Sequence, residues 1–143
     1  MAGLCSWKVL KMNVLAIDDD DISLRVVTAV ASRYASEHDL EITVKTVSDP
    51  VQAMLLLVTE GEQYDVVTLD VRMPKISGDE IFSSVQKNYP HLKDRILFIT
   101  GNAFLLEDHL PEHSAEVVQK PISYICFKKS MDAIIKLKDI SIH

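Results

Sequence analysis

Residues 13–21 read Asn-Val-Leu-Ala-Ile-Asp-Asp-Asp-Asp. A short apolar run ends abruptly at four acids. It is too short for a helix and stops at a charged turn, so it predicts a buried strand. From Ile22 to Tyr34 the spacing becomes helical, with Ile22, Val26 and Val30 on one stripe and Val27 and Tyr34 flanking it. Asp20 or Asp21 then caps that helix, where a carboxylate also suits the positive end of the helix dipole.

Working outward, Ile42–Val47 is β-branched and alternating, which predicts a second strand. Asp49-Pro50 places a cap and a first-turn proline before a helix over Val51–Thr59, which Gly61 stops. Val66–Val71 is another buried run. Ser77 to Glu80 opens a helix whose Ile81, Phe82, Val85 and Tyr89 share a face, and Pro90 ends it. Arg95–Thr100 is a further apolar strand. The segment Ala103–Ser114 is weakly patterned, with room for two helical turns before Pro111. Glu116–Gln119 is a short strand closed by Lys120-Pro121, and Phe127, Met131, Ile134 and Ile135 place a stripe on a terminal helix. Strand and helix alternate throughout. Such a chain predicts an α/β fold, a parallel sheet with helices on both faces.

The 143 residues suit a single domain, 1–143, with its core at about 11–138. The net charge of -6 is concentrated, because Asp18 to Asp21 alone supply four negative charges. That balance disfavours direct nucleic-acid binding and an anionic membrane surface. The two cysteines, Cys5 and Cys126, have no metal-ligand spacing and form no disulfide scaffold, which suits a reducing, cytoplasmic setting. The longest strongly apolar run, Met54–Val58, falls far short of the ~18 residues a membrane span needs. Lys8 and Lys11 interrupt any signal-like core at the start. No membrane insertion is expected.

In a parallel sheet the ligand site lies outside the carboxyl ends of the strands. That rule collects Asp18 and Asp19 after the first strand, Asp70 in the third, Thr100 at the end of the fourth and Lys120 after the fifth. Clustered carboxylates repel one another, and a divalent cation relieves them. Oxygen ligands without His or Cys favour Mg²⁺. With Mg²⁺ on Asp18 and Asp19, an incoming phosphoryl group meets Asp70 as a competent carboxylate nucleophile, Lys120 as a point charge and Thr100 as a hydroxyl. Taken singly, an Asp at a strand end is commonly a helix cap, and a lysine before proline a solvated turn. Their joint placement on one rim carries the functional reading. Asp20 reads as a cap, Asp21 as a solvated helix start, and Met73 and the leucines at 55–57 as packing.

These residues resemble a known family. Val14 to Asp19 is similar to the acidic pair of response-regulator receiver domains, and Asp70-Val-Arg-Met73-Pro74-Lys-Ile-Ser-Gly78 looks like their phosphoacceptor signature. Thr100-Gly101 and Lys120-Pro121 resemble the family's hydroxyl and lysine, Pro121 being a cis-proline candidate. The resemblance runs from about Lys11 to Lys138. It implies a flavodoxin-like (βα)5 fold with sheet order 2-1-3-4-5. It implies a phosphoacceptor rather than an enzyme, with Asp70 taking a phosphoryl group from the phosphohistidine of a sensor histidine kinase or a histidine phosphotransfer protein. The implied metal is Mg²⁺ at Asp19, Asp70 and the Arg72 backbone carbonyl, with Asp18 acting mainly through water. Phosphorylation then draws Thr100 inward and changes the surface offered to a downstream protein.

The chain departs from the family pattern in three places. Val117 stands where an aromatic switch residue is common, three residues before the lysine. The interval from Thr100 to Lys120 is short, with Ser114 where glycine is common. Arg72 lies beside the acceptor. Two other readings compete. An Asp-x-Asp at Asp18-Asp19-Asp20 admits a phosphohydrolase of the haloacid-dehalogenase kind, but that chemistry needs a further acidic motif after Lys120, where only Asp132 and Asp139 stand. A receiver-like interaction module that is never phosphorylated is the other. The few residues after Lys138 leave open a stand-alone receiver or one belonging to a hybrid kinase.

Overall fold

The fold is described by a computed structural model covering residues 10–73, 77–101 and 116–138. The chain runs β1 (Leu10–Ile17), α1 (Asp21–Glu37), β2 (Leu40–Val47), α2 (Pro50–Glu60), β3 (Val66–Asp70), α3 (Gly78–Asn88), β4 (Ile96–Thr100), β5 (Glu116–Gln119) and α4 (Tyr124–Lys138). Short 3₁₀ turns at Gly61–Gln63 and Pro90–Arg95 lead into β3 and β4. The five strands form one sheet in the order β2-β1-β3-β4-β5, and every neighbouring pair is parallel.

Helix starts follow the capping chemistry. The Asp20 carboxylate accepts from the Ile22 amide at 3.0 Å, and Asp49 accepts from the Val51 amide at 3.1 Å with Pro50 as the first helical residue. Ser77 caps α3 through the Glu80 amide at 3.4 Å. Asp39, with φ of 53°, turns the chain from α1 into β2, a left-handed conformation that aspartate tolerates better than most residues.

The two-residue period of the strands sorts their side chains into two cores. On one face Leu15, Ile17, Val67, Leu69 and Phe98 pack against Ala53 and Leu57 of α2 and Ile81, Phe82 and Val85 of α3. On the other, Met12, Val14, Val66, Leu97 and Val118 pack against Tyr34 of α1 and Phe127, Met131 and Ile134 of α4. Ala16 and Ile99 extend that second face to Leu24 and Val27. Both faces of the sheet are therefore covered, which is why β3 and β4 are apolar almost without interruption.

Several expectations shift. Strands β1 and β2 begin at Leu10 and Leu40, earlier than their apolar runs, because pairing Leu10 with Leu40 continues the ladder through the exposed Lys11, Asn13 and Glu41 that interrupt the apolar pattern. The buried face of α1 is Leu24, Val27, Ala31 and Tyr34, whereas Ile22 is 71% exposed, since the first helical turn stands at the rim of the sheet. Of the leucines expected to pack, Leu56 and Leu57 do and Leu55 is 61% exposed. Beyond Pro90 the chain keeps turning as a 3₁₀ segment that buries Leu92. The weak segment 103–114 lies outside the described residues, as do Pro74 and Ser114.

Phe98 is fully buried and its ring meets Phe82 with centroids 5.2 Å apart. Phe98→Ala is expected to destabilise the domain by about 3–5 kcal/mol, read from the urea unfolding midpoint. Exposed Val51→Ala is expected to change it by under about 0.5 kcal/mol.

Candidate functional site

Register brings the sequence-derived site residues to one rim. Ile17 pairs with Leu69, so Asp18 and Asp70 stand at the same height on neighbouring strands. Asp70 pairs with Ile99, and Thr100 with Gln119, so Thr100 and Lys120 follow within one residue of that height. Because all strands are parallel, their carboxyl ends meet there.

Asp18 and Asp70 are both buried, 3% and 6% exposed, and Asp19 is exposed beside them. Carboxylate oxygens of Asp18, Asp19 and Asp70 lie within 4.8 Å of one another. The Lys120 ammonium donates to Asp18 Oδ2 at 3.1 Å and sits 3.7 Å from Asp70 Oδ1. The second Asp18 oxygen accepts from the Asp20 amide at 2.9 Å, while the Asp18 amide donates to the Val47 carbonyl at 3.1 Å. The Arg72 amide donates to Asp70 Oδ1 at 3.4 Å. Lys120 is anchored by its own amide, which donates to the Thr100 carbonyl at 2.7 Å, and by the cis peptide bond to Pro121. Thr100 is buried at 2% exposure.

Burial, reinforced by the Asp18 charge and opposed by Lys120, pushes the Asp70 carboxyl from 3.8 up to about 7. For Lys120, burial pulls the ammonium down, but the hydrogen bond it donates to Asp18 and the charges of Asp70, Asp18 and Asp20 outweigh it, so the net direction is up. One ammonium thus serves two buried carboxylates, leaving negative charge in excess. A hard divalent cation suits that excess: the donors are all oxygen, two are fixed by hydrogen bonds, and the exposed Asp19 leaves a side open to water. The donor set fits Mg²⁺.

Asp20 is a different case. Its carboxylate accepts from the Ser23 hydroxyl at 3.0 Å as well as from the Ile22 amide, and these bonds hold it below the usual carboxylate range. It is occupied as a cap, which removes it from the Asp-x-Asp acid–base chemistry of a phosphohydrolase. The strand-end rule places Asp18 and Lys120 on the same rim, and the sheet order closes these residues, 102 positions apart, into a direct pair. Val117, paired with Phe98 on β5, is 37% exposed and offers no ring at the position where the family often has one.

A family model described as the response regulator receiver domain matches residues 14–131. The aerobic respiration control sensor protein ArcB of Escherichia coli is 29% identical over 115 residues, which make up 78% of this chain and 14% of that protein. The chain is therefore similar to one part of a much longer relative. A receiver domain protein from Clostridium thermocellum shares the fold with a TM-score of 0.73 at 23% identity, over 90% of this chain and 98% of that one. The response regulator TrrA of Thermotoga maritima, solved in complex with Mg²⁺-BeF, gives 0.70 at 22% identity, over 86% and 98%. Among the described residues, no helix is long and apolar enough to cross a membrane.

The raised Asp70 carboxyl sets a pH dependence. The native state holds the Asp70 proton up to about pH 7, whereas the unfolded chain releases it near 3.8, so metal-free stability falls as pH rises through that window. Asp70→Asn, neutral throughout, is expected to match wild type near pH 4 in EDTA and to exceed it increasingly toward pH 7.5. Chemical denaturation of both proteins across that range checks it, and parallel curves would refute it.

Proposed function

Because this chain belongs to the response regulator receiver domain family and is a receiver domain of two-component signalling, we propose that Asp70 is its phosphoacceptor. The carrying observation is the cluster itself: three carboxylates with oxygens within 4.8 Å, two of them buried, and an ammonium 3.1 and 3.7 Å from the buried pair. The donor is the phosphohistidine of a sensor kinase or of a phosphotransfer protein, a reading supported by the likeness to a sensor protein. Its setting is the cytoplasm, and its output is a changed surface offered to a downstream protein.

An Asp70 carboxylate oxygen attacks phosphorus in line. The phosphorus–nitrogen bond breaks, the imidazole leaves with the electron pair and takes up a proton, and an acyl phosphate forms on Asp70. Asp18, Asp19, Asp70 and the Arg72 backbone carbonyl would hold Mg²⁺, which when bound neutralises charge on the phosphoryl oxygens. Lys120 is already within reach of Asp70 and transfers its ammonium from the carboxylates to a phosphoryl oxygen. Thr100, one residue past the height of Asp70 on the neighbouring strand, supplies a hydroxyl donor on the same group. Its movement toward the phosphoryl group shifts the population of two surface states. Asp18 orients Lys120 beforehand, and the Asp20 amide orients Asp18.

Incubation with acetyl phosphate and Mg²⁺ is expected to add one phosphoryl mass to the intact chain, to add none in EDTA, and to add none to Asp70→Asn. Lys120→Ala is expected to slow that gain on the order of a hundredfold, as loss of one preorganised charge does elsewhere. Labelling of Asp70→Asn at the wild-type level would place the acceptor on another residue.

A further inference from the structure

The outer edge of β2 carries information that the phosphoacceptor site does not use. Among the described residues β2 pairs only with β1, so within them its other side presents an unpaired backbone edge along eight residues, with no proline or glycine in the strand. Such an edge is a template for another strand unless something blocks it, and a lysine is the usual block. Here the lysine is Lys45, and four positions before it stands Glu41, also exposed.

That spacing is self-complementary. When two copies of Leu40–Val47 run antiparallel with Thr43 opposite Thr43, Glu41 falls opposite the partner's Lys45, and Lys45 opposite the partner's Glu41. Opposite charges directly across an antiparallel pair are favourable, and like charges there are destabilising. On the other face of the strand, Ile42 falls opposite the partner's Val44 and Leu40 opposite the partner's Thr46. Leu40, Ile42 and Val44 are only half-buried against α1. Beside them runs an open groove of about 620 Å³ whose wall is mixed, with Leu24, Ala29 and Val44 beside the charged Asp21 and Arg25 and the hydroxyls of Thr28 and Thr46, and the partner's row would adjoin it. The charged row and the apolar row select the same register, and a shift by one residue would break both.

We propose that β2 pairs antiparallel with β2 of a second copy of this chain, joining two five-stranded sheets about a two-fold axis at Thr43. The contact is isologous and closes at a dimer. Because the junction is antiparallel, the carboxyl rims of the two sheets point in opposite directions. Both phosphoacceptor sites therefore stay open to their donors, and the dimer does not depend on phosphorylation. Lys45 also lies 3.6 Å from Glu60 of its own chain, an exposed pair that contributes little by itself and orients the lysine on the α2 side of the strand.

The test is sedimentation velocity on the full chain with charge reversals. Wild type is expected to sediment as a dimer at high protein concentration. Glu41→Lys alone and Lys45→Glu alone are each expected to weaken the dimer at least tenfold, and the double reversal is expected to restore it. Circular dichroism confirms that each variant is folded. In a background without Cys5 and Cys126, Thr43→Cys is expected to give an oxidised covalent dimer. A wild-type chain that stays monomeric throughout overturns the proposal. So does a dimer that ignores both single reversals, for instance one lost with Leu55→Glu on the exposed face of α2.

Discussion

Two buried carboxylates that share one ammonium set the terms for the rest of this structure. Asp18 and Asp70 come from neighbouring strands, and Lys120 comes from the far edge of the sheet. In a low-dielectric rim neither carboxylate is stable alone, and one lysine cannot neutralise both. The fold tolerates this because backbone hydrogen bonds hold each of the three groups. The Asp20 amide holds Asp18, the Arg72 amide holds one oxygen of Asp70, and the backbone bond to Thr100 holds Lys120 in place. The residual charge imbalance is what fits the site for a divalent cation and a phosphoryl group. A receiver domain can thus be understood as a sheet whose register stores an electrostatic conflict that ligands resolve.

The same geometry separates roles that look alike in the sequence. Four consecutive aspartates offer four identical side chains, yet the end of β1 assigns them differently. Asp18 is turned into the rim and paired with Lys120, and Asp19 stands exposed beside it as a third oxygen donor. Asp20 is bonded to Ser23 and to the Ile22 amide and starts α1, and Asp21 is an exposed first-turn residue. Strand periodicity decides the first and helix capping the third.

Much of this was legible from residue patterns. The apolar runs at β1, β3 and β4 are buried on both faces and so carry their own signal, and the caps at Asp49 and Ser77 are local chemistry. What escaped was whatever depends on partners distant in the chain. The first residues of β1 and β2 are strand because they pair with each other, not because they are apolar. The inward face of α1 is set by where the sheet lies, so Ile22 turns outward despite its spacing. The Asp18–Lys120 contact needed the strand order, which the resemblance implied and the residue types alone did not.

Lys120 is the resident counter-charge of the proposed cation site. Calorimetric titration of Mg²⁺ into wild type and Lys120→Met tests this most directly. Removing the ammonium takes away a positive charge that competes for the same carboxylate oxygens, so at a pH well above 7, where Asp70 has lost its proton, Mg²⁺ affinity should rise. Unchanged affinity in the folded variant, or no detectable Mg²⁺ binding in wild type, would contradict it.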